Sequence, residues 1–579
     1  MSKLAALKAA SSITSLAPLL GMPASAISFT LYKIPAQARY TEFSIPKKSG
    51  GTRTIKAPID RLSKLQRALA NLLTDCRNEI EEKAPKKIVS HGFRSGASIF
   101  TNACQHRKRK YVLNVDLENF FPTFNFGRVR GYFIKNKDFA LNLKVATVIA
   151  QIACDGTALP QGSPCSPIIS DLLAHLLDVK MLQLARKFKC TYSRYADDLT
   201  FSTNRSDFPF QLAYQLDDNS SAWVLGDALL DQIHRAGFSV NHKKTRMQYR
   251  GSRQIVTGLV VNEKINIRAD YYRATRNMCS GLFATGSFHK SDAIPDQAGN
   301  MPKGTLAQLE GVLSHIYQIK SLEKLRSPPP TKVPNDPKSH GIGLLYDRFL
   351  FYTRFVILTR PLVICEGQTD SIYLEAAVRH IPYMPLFNVQ NGKNVSAIKY
   401  FNYSTTTRKV MGLGGGASPF VKLIHRYEGM VDHFDHAPLV HPVILLVDND
   451  DGPKGKNGVF TAMPHVTITH KTTEPFYRLK HNLYLIKTPE NKANPNWYST
   501  IEDFFKPATR AIKLDGKSFN PAKKIDTNTE YGKARFAESV VAPKAKSIDF
   551  SDFVPLLDRI VAAITHHTAL VAGGNVKSP

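Results

Sequence analysis

Two adjacent carboxylates, Asp197 and Asp198, stand between a tyrosine and an apolar run in the stretch SRYADDLTFS, residues 193–202. The flanking pattern predicts two buried strands, where charged side chains are costly unless they are paired or hold a cation. The two carboxylates therefore either cap a tight hairpin turn or bind a metal ion. For an isolated motif of this kind the turn is the commoner structure, because aspartate is frequent in hairpins.

A third carboxylate, Asp116, ends another apolar strand pattern in YVLNVDLENFFPTF, residues 111–124. A single aspartate at a strand end usually caps a turn. Together with Asp197 and Asp198 it gives three carboxylates on what look like adjacent strand ends, the oxygen-only ligand set that Mg²⁺ prefers. Two such ions about 4 Å apart would hold the attacking and leaving oxygens of an in-line phosphoryl transfer. The pattern therefore indicates a two-metal site.

Between these carboxylates lies LPQGSPCSPIISDLLAHLLDVKM, residues 159–181, a turn rich in Pro, Gly and Ser that opens a helix. By itself it is a generic strand-to-helix turn, whose backbone and Gln161 side chain can approach a nucleotide closely. In this order the three segments resemble the motifs of reverse transcriptases: V-D-x-x-x-F-F, then L-P-Q-G-x-x-x-S-P, then Y-x-D-D. The resemblance implies a right-hand polymerase with fingers, palm and thumb, which uses Mg²⁺ to make DNA on an RNA template.

The resemblance extends upstream into YTEFSIPKKSGGTRTIKAPIDRLSKLQRAL, residues 40–69, which looks like the fingers segment. It implies that Arg53, together with Lys47 or Lys48, grips the incoming triphosphate. Gln161 and Gly162 would complete the nucleotide-binding set.

Phe121, the fifth residue after Asp116, can stack beneath a sugar and exclude a 2'-hydroxyl, which would make the enzyme prefer deoxynucleotides. A core aromatic is an equally good interpretation of the same residue. Downstream, GFSVNHKKTRMQYRGSRQIVTGLVVN, residues 237–262, looks like the lysine turn of the palm leading into the thumb.

Two smaller motifs narrow the family. NACQH, residues 102–106, and VTG, residues 256–258, are similar to the N-A-x-x-H and VTG signatures of retron reverse transcriptases. The resemblance implies that template RNA is recognised by the residues Asn102, His106, Val256, Thr257 and Gly258. It also implies a dedicated structured RNA as primer and template, dNTPs as substrates, priming from a 2'-hydroxyl, and a branched RNA-linked single-stranded DNA product. A group II intron type of reverse transcriptase, which extends a 3'-hydroxyl, is the alternative.

The charge of the chain agrees with a polyanionic partner. The 77 Lys and Arg against 47 Asp and Glu give a formal net charge of +30, so nucleic acid is the expected partner. The basic residues are spread through the sequence instead of forming one amphipathic helix, which disfavours a membrane surface. No run of roughly 20 apolar residues, the length of a membrane span, occurs. The N-terminal apolar stretches are too broken for an export signal. The seven cysteines are scattered along the sequence. We expect a soluble, cytoplasmic protein.

The length of 579 residues exceeds a single core and predicts several domains. RSPPPTKVPNDPKSHG, residues 326–341, is the clearest break, because its prolines interrupt helix and strand alike. We predict a reverse transcriptase over 1–355, with fingers and palm to about 255 and a thumb over about 256–355, followed by a second domain over 356–579. The sequence does not decide whether the protein forms a homo-oligomer.

The predicted second domain also contains strands that are followed by acidic residues. In RPLVICEGQTDSIYLEAAVRH, residues 360–380, a buried strand ends at Glu366, where open α/β sheets place their ligands. In HPVILLVDNDDGP, residues 441–453, a second strand ends at Asp448 and Asp450, which can converge on one cation.

These strand ends resemble the TOPRIM domain of topoisomerases, primases and certain nucleases, which implies a Rossmann-like α/β fold and Mg²⁺ or Mn²⁺. The resemblance implies Glu502 as a further acidic group and Lys533 as the group that stabilises charge on the phosphate. The predicted class is thus multidomain α+β and α/β. The predicted function is a retron reverse transcriptase fused to a nuclease, acting on a nucleic acid the sequence does not name, in defence against phage. The alternatives are a plain α/β domain with acidic strand ends and a domain that only binds and packages the product.

Overall fold

The computed structural model describes residues 2–46, 51–83, 88–216, 222–290, 295, 299–326, 341–381, 386–390, 393–452, 458–462, 467–522, 524–574 and 576. By their contacts the residues form two compact units, Met1–Ala269 with Ile319–Pro328, and Asp270–Gln318 with Pro329–Pro579. Lys47, Lys48 and most of the predicted Pro-rich loop lie outside the described residues.

The helices, in chain order, are α1 Lys3–Ala9, α2 Ile13–Leu16, α3 Ala24–Ser28, α4 Asp60–Lys83, α5 Ile99–Cys104, α6 Phe126–Lys135, α7 Leu143–Ala153, α8 Ser166–Lys187, α9 Asp227–Arg235, α10 Ala269–Thr285, α11 Leu306–Arg326, α12 Gly341–Phe351, α13 Asp370–His380, α14 Ala417–Val431, α15 Pro507–Arg510, α16 Lys533–Arg535, α17 Ala542–Lys544 and α18 Val554–Ala572. The strands are β1 Tyr40–Pro46, β2 Thr52–Pro58, β3 Tyr111–Glu118, β4 Thr191–Tyr195, β5 Asp198–Thr203, β6 Ala213–Gln215, β7 Trp223–Leu225, β8 Ser239–Val240, β9 Arg246–Tyr249, β10 Ile255–Val256, β11 Leu259–Val260, β12 Leu362–Cys365, β13 Phe387–Gln390, β14 Lys393–Ser396, β15 Lys399–Tyr400, β16 Val443–Val447, β17 Tyr477–Lys480, β18 Leu483–Lys487, β19 Ser518–Phe519 and β20 Glu530–Tyr531.

The first unit is built around an antiparallel sheet in the strand order β4-β5-β3-β8, with β9 also paired to β3. β3 is central because both of its edges are occupied, by β5 on one side and by β8 and β9 on the other. Its residues Val112, Leu113, Val115 and Leu117 are at most 1% exposed. The continuous apolar run of β3 therefore reflects a strand that is covered on both faces, and Asp116 lies inside it.

A buried ionic network supports β4. Arg194 is fully buried and makes two parallel hydrogen bonds to Asp178 of α8, from Nε at 2.8 Å and from Nη2 at 2.7 Å. Nη2 also reaches Asp171 of α8 at 3.1 Å, and Nη1 donates to the carbonyl of Ala196 at 3.1 Å. Burial lowers the pKa of Arg194, but the charges of Asp178 and Asp171 and the hydrogen bonds to Asp178 together raise it above its usual value, so the guanidinium stays charged. The network fixes the end of β4 against α8.

The second unit contains a five-stranded sheet in the order β15-β12-β16-β18-β17. The first four strands are parallel, and β17 is antiparallel to β18. β12, β16 and β18 are buried at every position, as expected for parallel strands covered on both faces. Cys365 of β12 pairs with Leu446 of β16, so the residues that follow the two strands emerge at the same edge of the sheet.

The mixed α+β and α/β architecture confirms the predicted combination of helices and sheets. The limits between the compact units fall at residues 269/270, 318/319 and 328/329, and within the second unit Phe351 packs edge-on and Phe355 packs tilted against Tyr427. The predicted thumb segment is accordingly divided between the units.

In the described part of the chain, no single helix is both long and apolar enough to cross a membrane. The segments Ile13–Leu20 and Ala24–Lys33 reach that length and composition only as a pair, which is bent by 104°.

Candidate active site

The turn that carries Asp197 is tightly constrained. Tyr195 of β4 pairs with Asp198 of β5, which leaves Ala196 and Asp197 as a two-residue loop. Ala196 has φ +54°, a conformation that hairpin turns of this length usually give to glycine or asparagine. Gly92 lies against this loop so closely that a Cβ there would be 2.7 Å from the Ala196 nitrogen. The position of the catalytic turn is thus set by backbone packing.

The three predicted carboxylates come together at this turn. Asp116 lies directly opposite Asp198 in the β3–β5 register, and the Leu117 amide donates to the Asp197 carbonyl at 3.0 Å. Burial, followed by the charges of Asp197 and Asp116, raises the pKa of Asp198 to about 7. Burial and the charge of Asp116 also raise the pKa of Asp197. The carboxylates therefore form one electrostatically coupled cluster.

Lys244, in the predicted lysine turn of the palm, already supplies one cation to this cluster. Its Nζ lies 3.1 Å from Asp116 Oδ2, and its charge lowers the pKa of both Asp197 and Asp198. Among the described residues, no three Asp, Glu, His or Cys side chains converge closely enough to enclose a metal ion as they stand. The donor set nevertheless fits Mg²⁺, since it is made of carboxylate oxygens whose mutual repulsion a divalent cation would relieve.

We expect Asp198→Asn to stabilise the protein at about pH 8 in EDTA. The pKa of Asp198 is raised to about 7, whereas an unfolded aspartate titrates near 4. The folded state thus binds more protons between these values, and wild-type stability falls as pH rises through this window. The amide has no such penalty, so its melting temperature should exceed that of the wild type by roughly 2–8 °C at about pH 8 and by less at about pH 5.

Thermal unfolding of both proteins at the two pH values checks this expectation. Asp207→Asn, which changes an exposed carboxylate just after β5, is the control and should show no such pH-dependent difference. An Asp198→Asn protein that melts below the wild type at about pH 8 would contradict the assignment.

Among the predicted nucleotide-binding residues, Arg53 acts on the carboxylate cluster, and Gln161 and Gly162 lie against the strand that carries Arg53. The positive charge of Arg53 on β2 lowers the pKa of Asp197, so the two side chains are electrostatic neighbours. The Gln161 carbonyl accepts from the Lys56 amide of β2 at 2.8 Å. Gly162 has φ +119°, and a Cβ there would be 2.7 Å from the Lys56 carbonyl oxygen. The Pro-Gln-Gly turn is therefore fixed to the strand that carries Arg53.

Phe121 is half-buried and packs against two aromatic rings, Phe120 at 5.5 Å and Phe93 at 6.1 Å between centroids. Phe93 has φ +59° and is 38% exposed. Phe121 is thus supported from behind while part of its surface remains accessible, which fits either a sugar contact or a partly covered core position.

The two small signatures occupy different environments. Asn102 and His106 are both 0% exposed. Asn102 of α5 and His106, two residues after that helix, find hydrogen-bond partners in the sheet strands β4 and β5. Val256 is also fully buried, whereas Thr257 is half-buried and Gly258 is exposed.

A cleft of about 310 Å³ lies beside the carboxylates. Asp116, Asp198, Lys244, Thr257 and Gly258 are among the residues that line it. The exposed part of the VTG turn therefore faces the same space as two of the three carboxylates.

The second unit has its own acidic cluster. Glu366 follows β12 and Asp448 follows β16, at the shared edge of the sheet. Burial strongly raises the pKa of Asp448, and the charges of Asp370, Glu502 and Glu366 raise it further. A Cβ on Gly452 would lie 3.0 Å from Asp450 Oδ1 and 3.8 Å from Glu366 Oε1, so these two carboxylates approach one another.

Glu502 and Lys533 join this cluster. Lys533 Nζ lies 3.0 Å from Glu502 Oε2, and Glu502 is 1% exposed. Burial lowers the pKa of Lys533, but the charge of Glu502 and its neighbours raises it by more. All five residues predicted for the second site are therefore brought into one region.

Asp370 is a member of this region that the sequence interpretation did not assign. It is 5% exposed, accepts from the Gly367 amide at 2.8 Å, and has a pKa raised mainly by burial. Its signal was present, since it is the last residue of the E-G-x-x-D pattern that begins at Glu366.

Comparison with known proteins finds relatives of part of the chain. A family model described as reverse transcriptase (RNA-dependent DNA polymerase) matches residues 45–266. The retron Mx65 reverse transcriptase of Myxococcus xanthus is 35% identical over 298 residues, which are 48% of this chain and 61% of that protein. The retron Mx162 reverse transcriptase of the same organism is 33% identical, over 53% of this chain and 63% of the relative.

The retron Ec86 reverse transcriptase of Escherichia coli is 31% identical over 252 residues, which are 43% of this chain and 71% of that protein. The chain thus spans about three fifths of the length of the two Myxococcus relatives and more of the Escherichia coli one. A solved telomerase of Candida albicans is similar at 12% identity over 55% of this chain and 62% of that chain, with a TM-score of 0.28, which is too low to support an inference.

Proposed function

Since the chain belongs to the retron reverse transcriptase family, we propose that its first unit is an RNA-directed DNA polymerase that copies a dedicated structured RNA. The observation that carries this proposal is the coupled set of Asp116, Asp197 and Asp198 on paired strands. Three carboxylates held at one turn form the oxygen-rich site that phosphoryl transfer with Mg²⁺ requires.

When bound by Asp116, Asp197 and Asp198, Mg²⁺ supplies the positive charge that neutralises the attacking hydroxyl and the reacting phosphate. Lys244 holds the Asp116 carboxylate through an ion pair of 3.1 Å. Arg53 faces the same cluster and provides a fixed cation for the triphosphate. Gln161 is held on β2 through its backbone. In this proposal Phe121, whose ring packs against Phe93, is the residue that contacts the sugar.

The proposal includes priming from a 2'-hydroxyl, which leaves single-stranded DNA joined to RNA by a branch. The support is the family together with the N-A-x-x-H and VTG patterns. We expect the purified protein to carry a DNA that resists RNase and whose mobility on a denaturing gel shifts after treatment with debranching enzyme. Protein purified as the Asp197→Asn variant is the control and should carry RNA alone. A DNA that had been extended from a 3'-hydroxyl, with no branch, would favour the group II intron type instead.

We further propose that the second unit is a TOPRIM-like metal-dependent nuclease that acts as an effector in defence against phage. Support comes from the shared sheet edge that brings Glu366, Asp448 and Asp450 together. Lys533, already paired with Glu502, lies at that edge and is available to stabilise negative charge on a phosphate. A domain that only packages nucleic acid has no need for several buried carboxylates, which are costly in the absence of a cation.

We expect Glu366→Gln to abolish cleavage of DNA or RNA by the purified protein in Mg²⁺ or Mn²⁺, because the amide removes one negative ligand oxygen. Glu375→Gln, at an exposed position of α13, is the matched control and should cleave normally. DNA synthesis should be unchanged in both variants. Cells that carry Glu366→Gln should also lose phage resistance, and retained resistance would exclude the nuclease as the effector.

A further inference from the structure

Asn102 and His106 belong to a buried hydrogen-bond network inside the first unit. His106 Nδ1 lies 2.7 Å from Ser202 Oγ of β5, and Nε2 lies 2.7 Å from Ser193 Oγ of β4. The Ser193 hydroxyl in turn donates to Asn102 Oδ1 at 2.5 Å. All four side chains are 0% exposed.

The donor and the acceptor of each hydrogen bond in this network follow from the number of protons that the side chains carry. Ser193 has one hydroxyl proton, and it goes to Asn102, so His106 Nε2 must donate to Ser193. In a neutral imidazole Nδ1 is then the acceptor, and Ser202 donates to it. The ring therefore joins β4 and β5 with one donated and one accepted hydrogen bond, an arrangement that specifies its tautomer and its orientation.

The same two strands end at the catalytic turn. Ser193 is four residues before Asp197, and Ser202 is four residues after Asp198. On the other side of α5, Thr257 Oγ1 of the VTG turn donates to the Ile99 carbonyl at 3.1 Å. The two family signatures thus meet at α5, with the VTG turn on one side and the base of the catalytic hairpin on the other.

We propose that Asn102 and His106 are positioning residues that hold the Asp197–Asp198 hairpin in register, and that they do not recognise RNA. This inference rests on the proposed polymerase function. A small rotation at the base of a short hairpin produces a larger displacement at its tip. A displacement of about 1 Å at reacting groups can lower a rate by about 100-fold. Buried side chains that are hydrogen-bonded to both strands of the hairpin are suited to prevent such displacement.

The test compares His106→Leu with His106→Gln. Glutamine offers one acceptor and one donor and can replace both ring hydrogen bonds, whereas leucine replaces neither. We expect His106→Leu to lower kcat for dTTP incorporation on poly(rA)/oligo(dT) by about 10- to 100-fold, with KM for dTTP and affinity for the RNA extracted from the wild-type protein within about twofold. His106→Gln should recover most of the lost rate.

The primer-template poly(rA)/oligo(dT) contains none of the cognate RNA, so it separates positioning from recognition. Loss of RNA affinity in His106→Leu with a normal rate on poly(rA)/oligo(dT) would overturn the proposal. Ser202→Ala, a smaller change on β5, provides a second variant if leucine prevents folding, and it should also lower kcat without changing KM. A wild-type protein that fails on this template would instead count against the proposed polymerase function.

Discussion

Asp197→Asn and Asp198→Asn are each expected to lower DNA synthesis by about 10³-fold or more, because each removes a negative ligand oxygen from the metal site. Binding of RNA should remain within a few-fold of wild type, since Lys and Arg contacts to phosphates provide most of the affinity. The measurement is single-nucleotide incorporation with saturating protein, together with RNA binding at two salt concentrations. Affinity should fall steeply with salt in all variants alike.

Asp207→Asn is the matched control for these substitutions, because it changes an exposed carboxylate close to the same hairpin without touching the cluster. It should synthesise DNA at the wild-type rate. If either Asp197→Asn or Asp198→Asn retained synthesis at more than about a tenth of that rate, the assignment of these residues as metal ligands would be wrong.

Arg194→Met should destabilise the first unit by about 3–5 kcal/mol, since it leaves two buried carboxylates without their shared cation. Asp178 would lose both parallel hydrogen bonds, while Asp171 would keep its contact with Arg77 at 3.1 Å. Unfolding of the first unit in urea measures the loss in its free energy of unfolding. DNA synthesis should fall as well, because Arg194 also holds the carbonyl of Ala196 in the catalytic turn.

A second substitution distinguishes the loss of the attraction between Arg194 and Asp178 from the cost of leaving Asp178 buried and unpaired with a cation. Combining Arg194→Met with Asp178→Leu removes both members of the pair, and apolar replacement of a whole buried pair is often close to neutral. The double variant should therefore recover at least half of the stability lost in the single variant. A double variant less stable than Arg194→Met would contradict this account, because it would show that Asp178 stabilises the first unit even without Arg194.

Several carboxylates of both sites were predictable because they adjoin or lie within strands with a strong apolar pattern. Asp448 follows β16, the Asp197–Asp198 pair lies where β4 turns into β5, and Asp116 lies inside β3, two residues before its end. What the sequence did not specify is the pairing of β3 with β5, which places Asp116 opposite Asp198. Register depends on side-chain packing across many positions and is not encoded by either strand alone.

The environment of a polar residue was harder to predict. Asn102 and His106 follow one another at helical spacing, and nothing in that spacing shows whether they point to solvent or to the sheet. Their burial depends on Ser193 and Ser202, which are about 90 residues later in the sequence. Asp370 was missed for the opposite reason, since helix N-termini commonly carry an acidic residue without any role in a site.

The central position of β3 also has a consequence for synthesis of the chain on the ribosome. The edge of β3 that faces β9 is completed by Tyr249, about 130 residues after β3 itself. At roughly 5–20 residues per second, the nascent chain displays an apolar strand with an open edge for about 7–26 s. During that interval the strand can pair with other nascent chains, so a chaperone that covers extended apolar segments should increase the yield of folded protein.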